Sequence, residues 1–498
     1  MTRVSPASRL AIVGAICLSV PALAQYPSAM PSPAAMKVGF DTISTADART
    51  WLNYLAGPEC NGRGTGQPGY QKAAEYMAAR FKEFGLKPIG DNGTYFQNVI
   101  FSKVALDEAK SQITVNGSDR AFFASNGFAV DSLSGDVALD GPIVFVRSNS
   151  KEATVADPAV FADKIVVLTA VDDSALATQI SRARPKAFVT VVPGKKVESV
   201  ARISRGAARG GPARAPRTVR VRVTRELAKL LAEAAKIDAR MTLASGNTAV
   251  EVVDSGMATR FDLKSATTEI KVPNVVAMLE GRDPALKHEH VGMGSHLDHL
   301  GESNGQVYWG ADDDGSGSTA LLLAAKAFSK NPVKPKRSIV FMAFCGEEMG
   351  LVGSGHYASN PIFPLKDMVA ELQMDMVGRN EQTNAEPASE NIDTMHLVGS
   401  QRLSTQLHEL CLEMNKYIGF MFEYDQEDVY TRSDHYQFAS KGVPIAFVFS
   451  GFHPDYHQPT DTVDKINFDK IANTAKLFYM VAHEAAMRPR LVVDKAGG

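Results

Sequence analysis

From Val272 onward the chain alternates short apolar runs with helical patterns, and no other feature restricts its folding as much. Five runs are nearly without polar breaks: Asn274 to Gly281, His290 to His296, Arg337 to Phe344, Asp367 to Asp375, and Pro444 to Phe449. Apolar residues at helical spacing lie between them, over Gly317 to Lys330 and Ser404 to Lys416. A strand with no polar face must be buried on both sides, which needs helices above and below the sheet. The pattern predicts an α/β fold, with a mixed, mostly parallel sheet sandwiched by helices. Sheets of this kind gather their functional groups where strands end.

Polar residues cluster at those ends. The second run passes into GSHLDHLG, with His296 and Asp298. GADDDGSG follows, with Asp312, Asp313 and Asp314 just before a helix, and then CGEEMGLVGS with Glu347 and Glu348. QMDMVGR supplies Asp375 and SGFHPDYHQPTDT supplies His457. Singly, each is ordinary: acidic residues complement a helix N-terminus, paired glutamates face water, and an isolated histidine is structural. Together, so many carboxylates in one crevice would repel one another unless cations held them. Mixed imidazole and carboxylate ligands suit zinc, and a surplus over one tetrahedral set suggests two ions. One bridging carboxylate between ions about 3.5–4 Å apart leaves each ion a His and a further carboxylate. A hydroxide between the ions then forms at about pH 7, and a neighbouring free carboxylate can pass its proton to a leaving amine. Glu347 and Glu348 fit such a division, one ligating and one facing the water. Asp298 is placed to accept the second N–H of His296 and fix its tautomer.

The motifs SHLDH, GADDDGSG, CGEEMGLVGS, MDMVG and YHQPTDT, in this order, resemble those of the co-catalytic zinc aminopeptidases of peptidase family M28. The likeness covers about 272–488, and GRGTGQPGYQKAAEYM looks like the N-terminal part of the same domain. It implies a zinc exopeptidase fold and two zinc ions held by His296, Asp313, Glu348, Asp375 and His457. Asp313, rather than Asp312, would bridge the ions, and the Asp313–Asp314 peptide is often cis in the family. Glu347 matches the general acid/base and Asp298 the carboxylate behind His296. Tyr456 stands where some relatives carry an oxyanion-stabilising tyrosine, and Ser433-Asp434-His435 resembles a substrate-side loop. The implied activity is removal of N-terminal residues from peptides. A glutaminyl-cyclase-like transferase with one zinc and a carboxypeptidase-like relative are the alternatives on the same fold. A non-enzymatic ectodomain is disfavoured because no ligand position is lost.

The remaining chain organises around this domain. Arg3 and Arg9, the apolar Leu10 to Val20 and Ala22-Leu23-Ala24 read as a secretory signal over residues 1–24, cleaved near Gln25. The apolar run is shorter than the roughly 20 residues that span a bilayer, so the expectation is periplasmic or extracellular export without stable membrane insertion. Residues 25–120 form the N-terminal part of the peptidase domain, with a helix from about Thr45, another from Gln71 to Phe84, and a tight surface loop at Gly62 to Gln71. Residues 121–256 resemble an inserted protease-associated domain of short strands and helices, and 257–490 complete the peptidase domain. Within the insert, eight arginines fall between Arg202 and Arg225. No aromatic residues interleave them, and the whole chain has a net charge of -2, so nucleic acid is not an expected partner. The mature cysteines are Cys60, Cys345 and Cys411; three is odd, and any disulfide among them stays open.

Overall fold

A computed structural model of the chain describes residues 29–131, 133–169, 175–205, 218–240, 250–303, 305–424 and 427–495. The signal segment and the centre of the arginine-rich stretch lie outside the described residues. The main sheet contains β1 (Phe96–Leu106), β2 (Arg202–Arg205), β3 (Ser265–Leu279), β4 (His290–His296), β5 (Ser338–Phe344), β6 (Met368–Met374), β7 (Thr394–Val398), β8 (Met421–Glu423) and β9 (Ile445–Phe449). Their spatial order is β8-β7-β9-β6-β4-β5-β3-β1-β2, and the two-residue strand Lys87–Pro88 adds to β3. The four central strands β9, β6, β4 and β5 are mutually parallel, whereas β3, β1 and β2 run antiparallel to their neighbours. All five runs singled out in the sequence lie in this sheet.

Helices cover both faces. They are α1 (Thr45–Leu55), α2 (Pro68–Glu83), α3 (Gly315–Lys330), α4 (Val352–Ser359), α5 (Thr405–Asn415) and α6 (Phe468–Met487). The two-residue period of β5 decides which side each residue serves. Ile339, Phe341 and Ala343 pack with Leu52, Met77, Phe81, Leu321, Phe328 and Tyr479 in one core. Val340, Met342 and Phe344 face the other way, against Tyr357, Phe438 and Phe447. Each of the Val, Leu, Ile, Phe and Met side chains among these contributes about 1.5–3 kcal/mol on burial, which favours this layering over any arrangement that exposes a sheet face. α1 begins where the sequence places it, with the Ser44 side chain accepting from the Asp47 N–H. α6 is not among the helices expected from sequence. It is buried on nearly all sides, including Ile471, Ala475, Phe478, Tyr479 and Val481, so it lacks the one-sided stripe that marks a surface helix.

A second body lies on the excursion between β1 and β3. Its eight strands pair in the order Ala121–Phe123, Gln112–Val115, Val250–Leu263, Val137–Ser148, Ile165–Leu168, Ala187–Val192, Val219–Thr224, Phe128–Val130. This sheet opens at Gln112 and closes at Leu263, wider than the expected 121–256, because the flanking strands already pair within it. Val219, Val221 and Val223 are buried while Arg220 is exposed, so the alternation of valine and arginine there is that of a half-covered strand. β2 leaves this body and pairs with the edge of the main sheet. Cys60, Cys345 and Cys411 are buried free thiols, and no disulfide joins them.

Candidate metal centre

The C-terminal ends of β4, β5, β6 and β9 bring the expected residues into one crevice. His296 is the last residue of β4, and its Nε2 lies 3.2 Å from Asp313 Oδ1 and 3.5 Å from Asp375 Oδ1. On the other side of Asp313, His457 Nε2 lies 3.0 Å from Asp313 Oδ2 and 3.1 Å from Glu348 Oε2. Asp313 therefore faces two groups of donors, one through each oxygen. A residue that sequence reasoning missed also enters here. His299, buried, places its Nδ1 2.8 Å from Glu348 Oε1 and 3.6 Å from Asp313 Oδ2. Its only signal was its position three residues beyond His296, at the end of SHLDH.

The three consecutive aspartates have separate tasks. Asp314 accepts from the N–H groups of His296, Gly317 and Met376, which caps α3 and ties together the ends of β4 and β6. Asp312 accepts from Gly378 N–H and lies 3.2 Å from His453 Nε2. Asp461 accepts from the N–H groups of both Asp312 and Asp313. Only Asp313 is left to point into the crevice, and the Asp313–Asp314 peptide is cis.

Asp298 differs from the expectation. His296 Nδ1 is 3.0 Å from the main-chain oxygen of Asp298, and the Asp298 carboxylate is farther away, at 3.9 Å. The backbone turn after β4 thus faces the imidazole itself. The carboxylate is held instead by the Thr65 hydroxyl at 2.7 Å and the Glu347 N–H at 3.1 Å. Thr65 belongs to the glycine-rich segment, which is a second departure from sequence reading. Gly62, Arg63, Gly64 and Thr65 are buried beneath the site and do not form a surface loop. The Arg63 guanidinium donates to the carbonyls of Leu55, Leu297, Trp309 and Gly310. Ser433-Asp434-His435 is also buried. Ser433 donates to Asp375 Oδ2 at 2.6 Å, whereas Asp434 and His435 lie away from the cavity wall.

The electrostatics follow from this crowding. Burial and the neighbouring Asp434, Asp375 and Glu348 push the Glu347 carboxyl well above its ordinary range, although His296 opposes them. Burial disfavours the charged form of Asp313 too, but His299, His296 and His457 outweigh it and hold the carboxyl well below its usual value. Burial likewise opposes the charged form of His457, yet the carboxylates of Asp313 and Glu348 beside it raise it to about 10. Asp298 is raised to about 6, chiefly by burial. Asp313 Oδ2, Glu348 Oε1 and both nitrogens of His299 make no hydrogen bond despite their close spacing. Buried acceptors and imidazoles clustered without hydrogen-bond geometry fit divalent cations with mixed nitrogen and oxygen ligands.

A pocket, partly open to solvent, adjoins these groups. Glu347, Tyr456 and Arg432 line its polar side, and Met376, Val429, Phe447, Phe449 and Phe452 its apolar side. The Tyr456 ring stacks on His457 with centroids 4.0 Å apart, and Arg432 Nη2 donates to its hydroxyl at 3.3 Å. Arg379 and Lys465 both reach Asp455, fixing the loop that carries Tyr456 and His457.

Comparison with known proteins gives this geometry a relationship. Residues 274–482 match the model of peptidase family M28. A probable leucine aminopeptidase of Arthroderma benhamiae is 30% identical over 225 residues, 43% of this chain and 58% of that protein. Leucine aminopeptidase 1 of Penicillium rubens is 27% identical over 218 residues, 42% of this chain and 56% of that one. The chain therefore spans somewhat more than half the length of these curated relatives. Among solved structures, a peptidase M28 precursor from Shewanella amazonensis SB2B superposes with a TM-score of 0.52 at 18% identity, covering 93% of this chain and 98% of that one. A zinc aminopeptidase from Bacillus subtilis gives 0.51 at 17% identity, covering 91% and 98%. These likenesses show a shared fold. Through residues 274–482, the chain is similar to peptidase family M28.

Proposed function

We propose that this protein is an exported zinc aminopeptidase that uses two zinc ions and favours peptides with an apolar N-terminal residue. The observation that carries the reading is Asp313, whose two oxygens face His296 and Asp375 on one side and His457 and Glu348 on the other. His296 and Asp375 would hold one ion, His457 and Glu348 the second, with Asp313 shared and His299 beside the second. Zinc, when bound, supplies Lewis acidity near neutral pH. Glu347 takes the proton of the attacking water and returns it to the departing amine, a task suited to its upward-shifted carboxyl. Tyr456, held by Arg432, donates to the carbonyl oxygen as negative charge grows there. The apolar wall from Met376 to Phe452 receives the side chain of the first residue. The similarity to proteins named leucine aminopeptidases supports this preference.

The decisive test pairs substrates with metal counting. Aminoacyl-arylamides with leucyl or phenylalanyl groups should be cleaved faster than lysyl or glutamyl ones, with close to two zinc ions at the catalytic centre. Cleavage only of carboxyl-terminal substrates, or cyclisation of N-terminal glutamine with a single zinc, would replace this reading with one of its fold-mates. Detection of the mature chain beginning near Gln25 outside the cytoplasm would establish export; a retained, uncleaved chain would refute it.

A further inference from the structure

A second group of metal-type side chains lies at the sheet edge, away from the centre described above. Glu381 follows β6, His396 lies on β7 and Glu423 ends β8. Their donor atoms converge: His396 Nε2 is 3.1 Å from Glu381 Oε2 and 3.6 Å from Glu423 Oε2. Ligands around a tetrahedral ion with bonds of about 2.0–2.2 Å stand roughly 3.3–3.6 Å apart. The catalytic donors His296, Asp313 and Asp375 show the same spacing. A hydrogen bond accounts for only part of the arrangement. Nε2 carries at most one hydrogen, yet two carboxylates are drawn to that nitrogen, and the buried Lys470 ammonium, on which both act, sets one positive charge against their two. His396 and Glu381 are almost fully buried, while Glu423 is about one-third exposed, leaving a route for entry and room for a water as a fourth ligand.

The backbone is shaped to admit this group. Gly451, just beyond β9, has φ of +92, and a Cβ there would lie 2.4 Å from the Glu381 Cβ. Any larger residue would displace the Glu381 stem from the cluster. The same segment forms the wall of the substrate cavity: Gln382 N–H donates to the Phe452 carbonyl, and the His396 ring lies 5.7 Å from that of Phe449.

We propose that Glu381, His396 and Glu423 bind an additional divalent transition ion, zinc being the best match to one imidazole and two carboxylates. Bound there, it fastens the edge strands β7 and β8 to the segment after β6, which in turn pairs with Phe452 through Gln382. The proposal does not depend on the two-ion reading of the catalytic centre, and its test keeps the two apart. Asp313→Asn removes the ligand shared at that centre, and the stripped protein is then reloaded with zinc and desalted. One ion per chain should remain, and it should be absent when His396→Gln or Glu423→Gln is added. Zinc should raise the melting temperature of the Asp313→Asn chain by several degrees and leave that of the doubly substituted chains unmoved. Glu423→Gln, at a partly exposed edge, provides the comparison if His396→Gln folds poorly. Equal zinc content with and without these substitutions overturns the site, as does a thermal shift given by calcium but not by zinc.

Discussion

Glu347 and Glu348 are neighbours in sequence but face different groups. Glu348 reaches His299 and His457, while Glu347 borders the cavity near His296 and Asp375. Glu347→Gln keeps the shape and removes the proposed proton shuttle, so kcat should fall by about 10²–10⁴-fold with zinc content unchanged. Parallel steady-state kinetics and metal analysis check this. A second residue gives a pH effect remote from the metal ligands. His290, at the start of β4, is buried, and loss of water around its charged form lowers it to about 4. In the unfolded chain it titrates near 6.5, above its folded value. Its contribution to stability is therefore complete above about pH 6.5 and lost as pH falls towards 4. The unfolding free energy of the wild-type chain relative to His290→Gln should drop by about 3 kcal/mol between pH 7 and 4, as read from urea titrations at each pH. An unchanged difference would show that His290 is not desolvated.

At the scale of elements, the central strands and their acidic ends were legible because an unbroken apolar run of strand length suits a doubly covered sheet and little else. Motif order then indicated which ends converge. Three features were not legible. α6 hides its periodicity by being buried all round. Asp298 was expected to serve His296 through its side chain, but a carbonyl from the same turn lies closer to the imidazole, a choice that depends on backbone direction. The glycine-rich segment looked like a surface loop because its purpose lies in distant partners. Arg63 satisfies four carbonyls from three separate stretches of chain. Arg63→Met should leave these buried acceptors without donors and cost about 3–5 kcal/mol. Arg63→Lys should recover only a part, since an ammonium cannot match a planar fork. Chemical denaturation of both variants measures the difference. The Glu381–His396–Glu423 group was equally hidden, because its members are ordinary residues on separate edge elements with no motif around them.

For the whole molecule, two cores on the main sheet and two more in the second body argue for separable unfolding steps. Ions bound only by the folded main domain stabilise that domain alone. Chelation should therefore lower one calorimetric transition by several degrees and leave a second in place; a single transition that moves as a unit would show that the two bodies unfold together. Among the described residues, no helix is long and apolar enough to cross a membrane. The short strand Arg202–Arg205 gives the assembly a further property. It covers the outer hydrogen-bonding edge of Phe96–Leu106 from Phe101 to Val104, so the excursion both hangs from the main domain and seals this part of its flank. Shortening the chain to its main domain by joining residues 106 and 265 would uncover a row of unsatisfied amides, inviting two copies to zip together edge to edge.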